Sequence, residues 1–472
     1  MRQRPRPARL DSILVSMSRS VPELAGLATY DKAAVVGLPV SQSVRRLLRG
    51  HWAEVRLMDI ILAHLPGTPE WEVKCALSLH QWQHAEHATL LRERISEMRN
   101  PVPRLDVAPD DAMNALFAEL ERSADSIELL TGIYAVVRPA LAESYRAHYA
   151  AANPLVDNPT RRLLQLVLAD EDDAASWGNA ALDALIDGDD DAARRSAAWR
   201  AHLGAFLSAC GGIADDAGVP DAATPSPRAA GPFVPDLVPR RDSRFKRQRD
   251  FDFPPHVIYN DPRVPPDERN LALLCKRALE MDVPEMMAGM LVEWRGLPWE
   301  LRRALSRQLW DETRHAMMGT VALEARGLDW TRIPLNIGFA LRLGQHAEPL
   351  ERQIVLWAIE QSLMSGDTGK RSEYETAVEA GDALSAHFQD YDWADEVLHA
   401  RIGRQVLRHA GVTPEQAMAR APEIHDRTWR ALDAYRQPDE CPGWWDGFVR
   451  QALGHPSAVG SDDLQELRIL TE

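Results

Sequence analysis

The sequence predicts an all-α protein built from two helical units in tandem, and three observations carry that expectation. Apolar residues recur three and four apart over long stretches rich in Ala, Leu and Arg, the mark of amphipathic helices. A segment rich in Pro, Asp and Arg divides the chain near its middle. Short patterns of the first half return in the second, 225 to 229 residues later. The 472 residues suit two or three domains. With 45% hydrophobic and 26% charged residues, the composition is that of a folded globular chain rather than a disordered one.

Helices are expected in the first half over residues 43–65, 71–98, 112–152 and 161–186, and in the second over 267–295, 298–326, 349–380 and 391–410. The expected domains are 1–216, a degenerate bundle; 217–266, an extended linker; 267–436, a metal-binding bundle; and 437–472, a tail packed by its tryptophans. Prolines at the linker's density cannot sit inside helices. The repeat shows in Gly67, Pro69 and Leu77 against Gly296, Pro298 and Leu305. It continues in Trp82, His84 and His87 against Trp310, Glu312 and His315, and in Asp170-Glu171 against Asp395-Glu396.

Charge and cysteine usage narrow the function. The net charge of −16 argues against a broad grip on nucleic-acid phosphates. No run of apolar residues is long enough to span a membrane, and residues 1–20 carry arginines without a signal-peptide apolar block. A cytoplasmic protein without membrane or nucleic-acid partners is therefore expected. Cys75, Cys210, Cys275 and Cys441 form no CxxC pair, so a metal site would have to use carboxylates and histidines. The scarcity of lysine (Lys32, Lys74, Lys246, Lys276 and Lys370) reads as coding bias. The tryptophans at 177, 199, 357, 393 and 429 read as core or interface fillers, and the arginines of 240–249 as a solvated linker face.

The chemistry sits in two segments, Asp311-Glu312-Thr-Arg-His315 and Asp395-Glu396-Val-Leu-His399. At ~3.6 residues per turn, Glu and His three apart point to one side of a helix and offer an oxygen and a nitrogen to one cation. Two such helices facing each other give two metal positions, and each wants a further carboxylate from another helix. Glu360 is the only acid in an otherwise apolar run. Glu280 stands 32 residues before Glu312, as Glu360 stands 36 before Glu396, spacings that suit antiparallel hairpins. Glu285 competes with Glu280, and Pro284 threatens a kink between them. A metal-bound histidine usually gives its other ring N–H to a carboxylate, so Asp311 and Asp395 are each assigned to the histidine of the opposite helix.

This arrangement resembles the ferritin-like superfamily of dinuclear carboxylate proteins. The matching residues are Glu280, Glu312 with His315, Glu360, and Glu396 with His399, across 267–410. The resemblance implies a four-helix bundle with two buried iron ions, or manganese in one or both positions. It implies an O2-dependent oxidase or oxygenase of a small organic substrate, served by an electron donor. A non-catalytic metal-binding or scaffold protein is the alternative, and a homodimer is compatible with either. No catalytic residue is expected beyond the metal ligands. An apolar wall of Met286, Met287, Met290, Leu356, Leu363 and Met364 would keep water from the site.

The first half departs from the pattern. One register sets His84 and His87 against Glu312 and His315. The other sets Glu54 and Glu86 against Glu280 and Glu312, with Thr89 for the histidine. Ala174 stands where His399 would be, and Tyr134 falls near the position of Glu360. The expectation is a scaffold, with an unusual site of His84, His87 and Glu171 as the alternative.

Overall fold

The computed structural model describes residues 21–214, 223–364, 369–437 and 443–460. Among them every regular element is helical and there is no strand. The first half carries α1 (Tyr30–Ala33), α2 (Val40–His64), α3 (Trp71–Met98), α4 (Asp111–Leu120), α5 (Ser126–Gly132), α6 (Arg138–Ala151), α7 (Asn158–Ile186) and α8 (Asp190–Ala209). The second carries α9 (Pro255–Ile258), α10 (Pro266–Leu279), α11 (Asp282–Glu293), α12 (Trp299–Glu324), α13 (Gly338–His346) and α14 (Pro349–Leu363). It continues with α15 (Lys370–Glu379), α16 (Ala383–His409), α17 (Pro414–Leu432) and α18 (Trp444–Leu453).

Helix α3 spans the expected residues, and α2, α7 and α12 differ from expectation by a few at their ends. The helix expected over 112–152 is broken twice. After α4 the Asp125 carboxylate accepts the Glu128 N–H at 2.9 Å and caps a new start, α5. A wide π-turn, Ile133–Val137, then joins α5 to α6 just before Pro139, which has no N–H to give the Ala135 carbonyl. The helix expected over 267–295 breaks at Glu280 and Met281 for the same reason. Pro284 cannot donate to the Glu280 carbonyl, and the Val283 N–H takes it at 3.0 Å in a tighter turn. The stretch 349–380 forms two helices, α14 and α15, and 365–368 lie outside the described residues. Helix α16 starts eight residues earlier than expected, where Asp382 accepts the Ser385 N–H at 3.0 Å.

Helices α10, α12, α14 and α16 pack so that α10 lies on α12, α12 on α16 and α14 on α16. In the first half α2 lies along α3, and α3 packs on α7. The two halves meet where α3 packs on α12 and α2 on α11. Gln81 and Ser306 exchange hydrogen bonds across that contact at 2.7 and 2.8 Å, and Arg302 pairs with Asp59. The largest buried apolar cluster runs from Val44 to Ile424 and draws on both halves.

Between α8 and α9 the described chain makes turns but no regular helix, and Phe245, Phe251 and Phe253 are buried. Its arginines form a solvated face only in part: Arg240 and Arg244 are exposed, Arg247 and Arg249 half-buried, and Arg241 buried. Arg240 pairs with Asp236, Arg241 with Glu285, Arg244 with Glu72 and Asp242, and Arg247 with Asp250. Trp445 of α18 is buried and donates its indole N–H to Glu268 of α10 at 2.9 Å. Of the tryptophans expected as fillers, Trp199 and Trp357 are buried and Trp177 and Trp393 half-buried. Trp429 is exposed and stacks on His425. Cys75, Cys210 and Cys275 are free and buried, whereas Cys441 lies outside the described residues. No described helix is long and apolar enough to cross a membrane.

Candidate metal centre

The break after α10 places Glu280 at the helix end, facing α12. Helix α12 presents Glu312 and His315, α14 presents Glu360 in its last turn, and α16 presents Glu396 and His399. All but Glu280, which is half-buried, are at most 4% exposed. The imidazoles of His315 and His399 lie 5.8 Å apart, centre to centre. Ligand-type atoms fall into groups within 4.8 Å of one another: Glu280, Glu312 and His315 in one, and Glu312, Glu360, Glu396 and His399 in another. Glu312 belongs to both. Glu396 also falls in a further group with His315 and Asp392.

Both histidines turn Nδ1 inward. His399 Nδ1 is 3.1 Å from Glu312 Oε1 and 3.5 Å from Glu396 Oε2. His315 Nδ1 is 3.7 Å from Glu312 Oε2 and 3.9 Å from Glu280 Oε2. Two donor atoms each ~2.1 Å from one ion lie about 3 to 4 Å from each other, so these separations match shared coordination. The outer nitrogens face the two aspartates crosswise, His315 Nε2 to Asp395 at 3.2 Å and His399 Nε2 to Asp311 at 3.5 Å. Arg314 pairs with both aspartates and Arg307 holds Asp311, which burial opposes but these partners keep ionised down to about 2.

Glu285, the competitor of Glu280, goes elsewhere. Its fully buried carboxylate lies between Lys74 and Arg241, away from both groups. Met286, Met287, Met290 and Leu356 are buried in the main apolar cluster, while Leu363 and Met364 are half-buried.

A set of buried partners stands beside these residues. Asp392, one turn before Glu396, lies 3.2 Å from His315 Nδ1. It is held by Arg277 and by Lys370, whose Nζ is 2.8 Å away. Lys370 also lies 2.9 Å from Glu396 Oε1. Arg277 reaches Glu280 and Glu373, each at 2.9 Å. The period of α16 could have flagged Asp392, since i and i+4 share a face. Nothing in the sequence marked Lys370.

The electrostatics of the cluster divide its carboxyls: Glu312 and Glu396 are held ionised, while Glu280 and Glu360 are pushed toward the neutral form. Burial opposes the Glu312 charge, yet His315 and His399 hold its carboxyl down to about 2. Glu396 is likewise held well below the usual range, against burial, by Lys370 and His399. Burial raises Glu280 to about 7 against the pull of Arg277 and Lys370, and raises Glu360 well above the ordinary value. Burial would strip His315 of its proton, but Asp392, Asp395 and Glu312 outweigh it and raise the imidazole to about 10. His399 is raised in the same way by Asp311, Glu312 and Glu396. A bound cation would need both imidazoles neutral, so binding would release their protons.

The fit to cations shows in the hydrogen bonding. His315 Nδ1, His399 Nδ1, Glu360 Oε2 and Glu396 Oε2 are buried and make no aligned hydrogen bond, although His399 Nδ1 is in ion-pair range of Glu312 and His315 Nδ1 of Asp392. Each unmet buried polar atom costs roughly 1–3 kcal/mol, a penalty that coordination would remove.

In the first half the structure draws one residue from one register and two from the other. Glu54, His84, His87 and Glu171 come together, all buried. Glu86 instead pairs with Arg303 at 2.6 Å, and Thr89 donates to the Ala85 carbonyl. Tyr134 makes a hydrogen bond to His80. No family model, no curated protein and no solved structure matches this chain.

Proposed function

We propose that the protein is a ferritin-like di-iron oxidoreductase, which uses O2 and an external electron donor on a small organic substrate. The observation that supports this most is the convergence of Glu280, Glu312, His315, Glu360, Glu396 and His399, with four buried atoms that make no hydrogen bond. Four carboxylates and two imidazoles are a mixed oxygen–nitrogen set that suits iron or manganese over softer ions. A bound iron pair would supply the electrons and binding positions for reducing O2. In this reading Glu312 and Glu396 would serve both ions, His315 and His399 one each, and Glu280 and Glu360 would complete the set.

The chain's own residues set the conditions. Asp395 and Asp311 fix the ring orientation of the histidines, so that Nδ1 stays inward. Arg277 and Lys370 neutralise Asp392 and steady Glu396 before any ion arrives. Gln308 donates to Glu360 Oε1 and leaves Oε2 free. We read the two halves as diverged copies of one bundle, facing each other through α3 and α12. In support, Asp170 meets His87 at 3.0 Å as Asp395 meets His315. Gly178 of α7 and Gly403 of α16, 225 residues apart, each make room for an aromatic ring, Tyr134 and Trp357.

The test is anaerobic loading with Fe(II), followed by O2. About two irons per chain and a transient visible absorption are expected in the wild type, and neither in Glu312→Ala or Glu396→Ala. Turnover retained by iron-free protein would overturn the reading. Iron uptake without O2 consumption would favour the non-catalytic alternative.

A further inference from the structure

The first-half cluster has the makings of a centre of its own. Helix α2 contributes Glu54, α3 contributes His84 and His87 one turn apart, and α7 contributes Glu171. Each residue is at most 2% exposed, and one ligand atom from each lies within 4.8 Å of the others. We infer that Glu54, His84, His87 and Glu171 bind one divalent transition ion, of the zinc or ferrous class, which ties α2, α3 and α7 together.

His87 places Nε2 against Asp170 at 3.0 Å, which turns Nδ1 inward. That Nδ1 lies 3.5 Å from Glu54 Oε2 and 3.9 Å from Glu171 Oε1, yet makes no hydrogen bond. His84 Nδ1 meets the same Glu54 Oε2 at 2.5 Å, and its Nε2 is buried with no partner. His87 Nδ1, buried beside both Glu54 and Glu171 without a hydrogen bond, is a donor atom open to a cation, and His84 supplies a second imidazole to the same group. Two nitrogen and two oxygen donors suit a borderline ion rather than magnesium or calcium, which prefer all-oxygen cages.

The surroundings allow one ion and not two. Ala174 offers no second-site imidazole three residues after Glu171. Arg138 instead lays its guanidinium on Glu171, donating Nε at 3.0 Å and Nη2 at 2.9 Å, a fixed cation on that side. A carboxylate accepting such a fork keeps lone pairs for a metal on its other edge. The Tyr145 hydroxyl donates to Glu54 Oε1 at 2.7 Å and leaves Oε2 to the histidines. Burial keeps that hydroxyl protonated and therefore a donor.

Two glycines permit the closure. A Cβ at Gly178 would come within 2.2 Å of Tyr134, and one at Gly50 within 2.8 Å of Tyr145. Both rings thus press on bare backbone, and Tyr134 caps His80 beside the cluster. Four protein ligands walled by tyrosines and an arginine make a structural centre, not an open catalytic one.

Cobalt(II) is the probe, with the full-length chain. In a His315→Ala/His399→Ala background, which removes the imidazoles of the other cluster, cobalt is expected to give ligand-field absorption and a raised Tm. Adding His84→Gln and His87→Gln is expected to lower the bound cobalt by one equivalent and cancel the gain in Tm, with far-UV circular dichroism unchanged. Cobalt uptake that these two substitutions leave unaltered overturns the assignment, as does a folded parent variant that takes up none. Should the parent variant not fold, cobalt-soaked crystals of the unaltered protein decide. An anomalous peak among Glu54, His84, His87 and Glu171 is expected there, and its absence overturns the site.

Discussion

Three of the chain's five lysines, Lys74, Lys276 and Lys370, end in ion pairs with Glu285, Glu373 and Asp392. A lysine ammonium is a compact charge that one or two carboxylates can enclose. Where Lys74 and Arg241 enclose Glu285, removing the acid leaves two cations buried without their partner. Glu285→Ala is therefore expected to cost about 3–5 kcal/mol in denaturant unfolding while leaving iron stoichiometry unchanged. That pair of readouts separates a structural carboxylate from a ligand. Asp311→Asn and Asp395→Asn should behave in the opposite way. Each keeps the shape but weakens the hold on an imidazole, so iron affinity is expected to fall by about 10- to 100-fold with little change in stability. Iron titration of the two variants checks this. The D-E-x-x-H spacing was enough to suggest the crosswise pairing, because one turn of helix puts the acid and the ring on one side. Lys370 was invisible by comparison, since nothing local ties it to Glu396, 26 residues later on another helix.

At the scale of the element, apolar periodicity located most helices but not their interruptions. The 112–152 and 267–295 stretches keep a helical pattern through their breaks, and the breaks come from Asp125, Pro139 and Pro284, whose effect is on single hydrogen bonds. Close helix contacts were likewise hidden. Gly319 of α12 sits where a Cβ would be 2.3 Å from the Ala278 backbone nitrogen of α10. Gly403 of α16 sits where one would be 2.5 Å from Trp357 of α14. Both contacts join helices that carry candidate ligands. Overpacking costs typically 1–3 kcal/mol. Gly319→Ala is expected to reach the upper end or beyond, because a backbone atom cannot swing aside, and Gly403→Ala the lower. Thermal unfolding of the two variants, followed by iron analysis, tests whether the spacing of these helices also governs metal uptake.

For the whole molecule the decisive feature is the shared core. The apolar cluster that begins in α2 continues to α17, and α3 packs on α12 with Gln81, Ser306, Asp59 and Arg302 inside the contact. Halves joined through so much buried surface should lose structure together. Tryptophan fluorescence and far-UV circular dichroism are expected to report one common midpoint on heating; separate midpoints, shifted singly by Arg302→Ala, would show two independent units. The repeat offset in the sequence suggested two bundles but carried no information on how they meet. What the sequence by itself determined is which side of each helix bears acids and imidazoles, since a regular 3.6-residue turn fixes direction from spacing alone. Only the tertiary structure decided that Glu54 joins His84 and His87, that Glu285 is kept by Lys74 and Arg241, and that Asp392 stands beside His315. Those pairings depend on which distant helices are pressed together, and burial there makes every unpaired polar atom expensive.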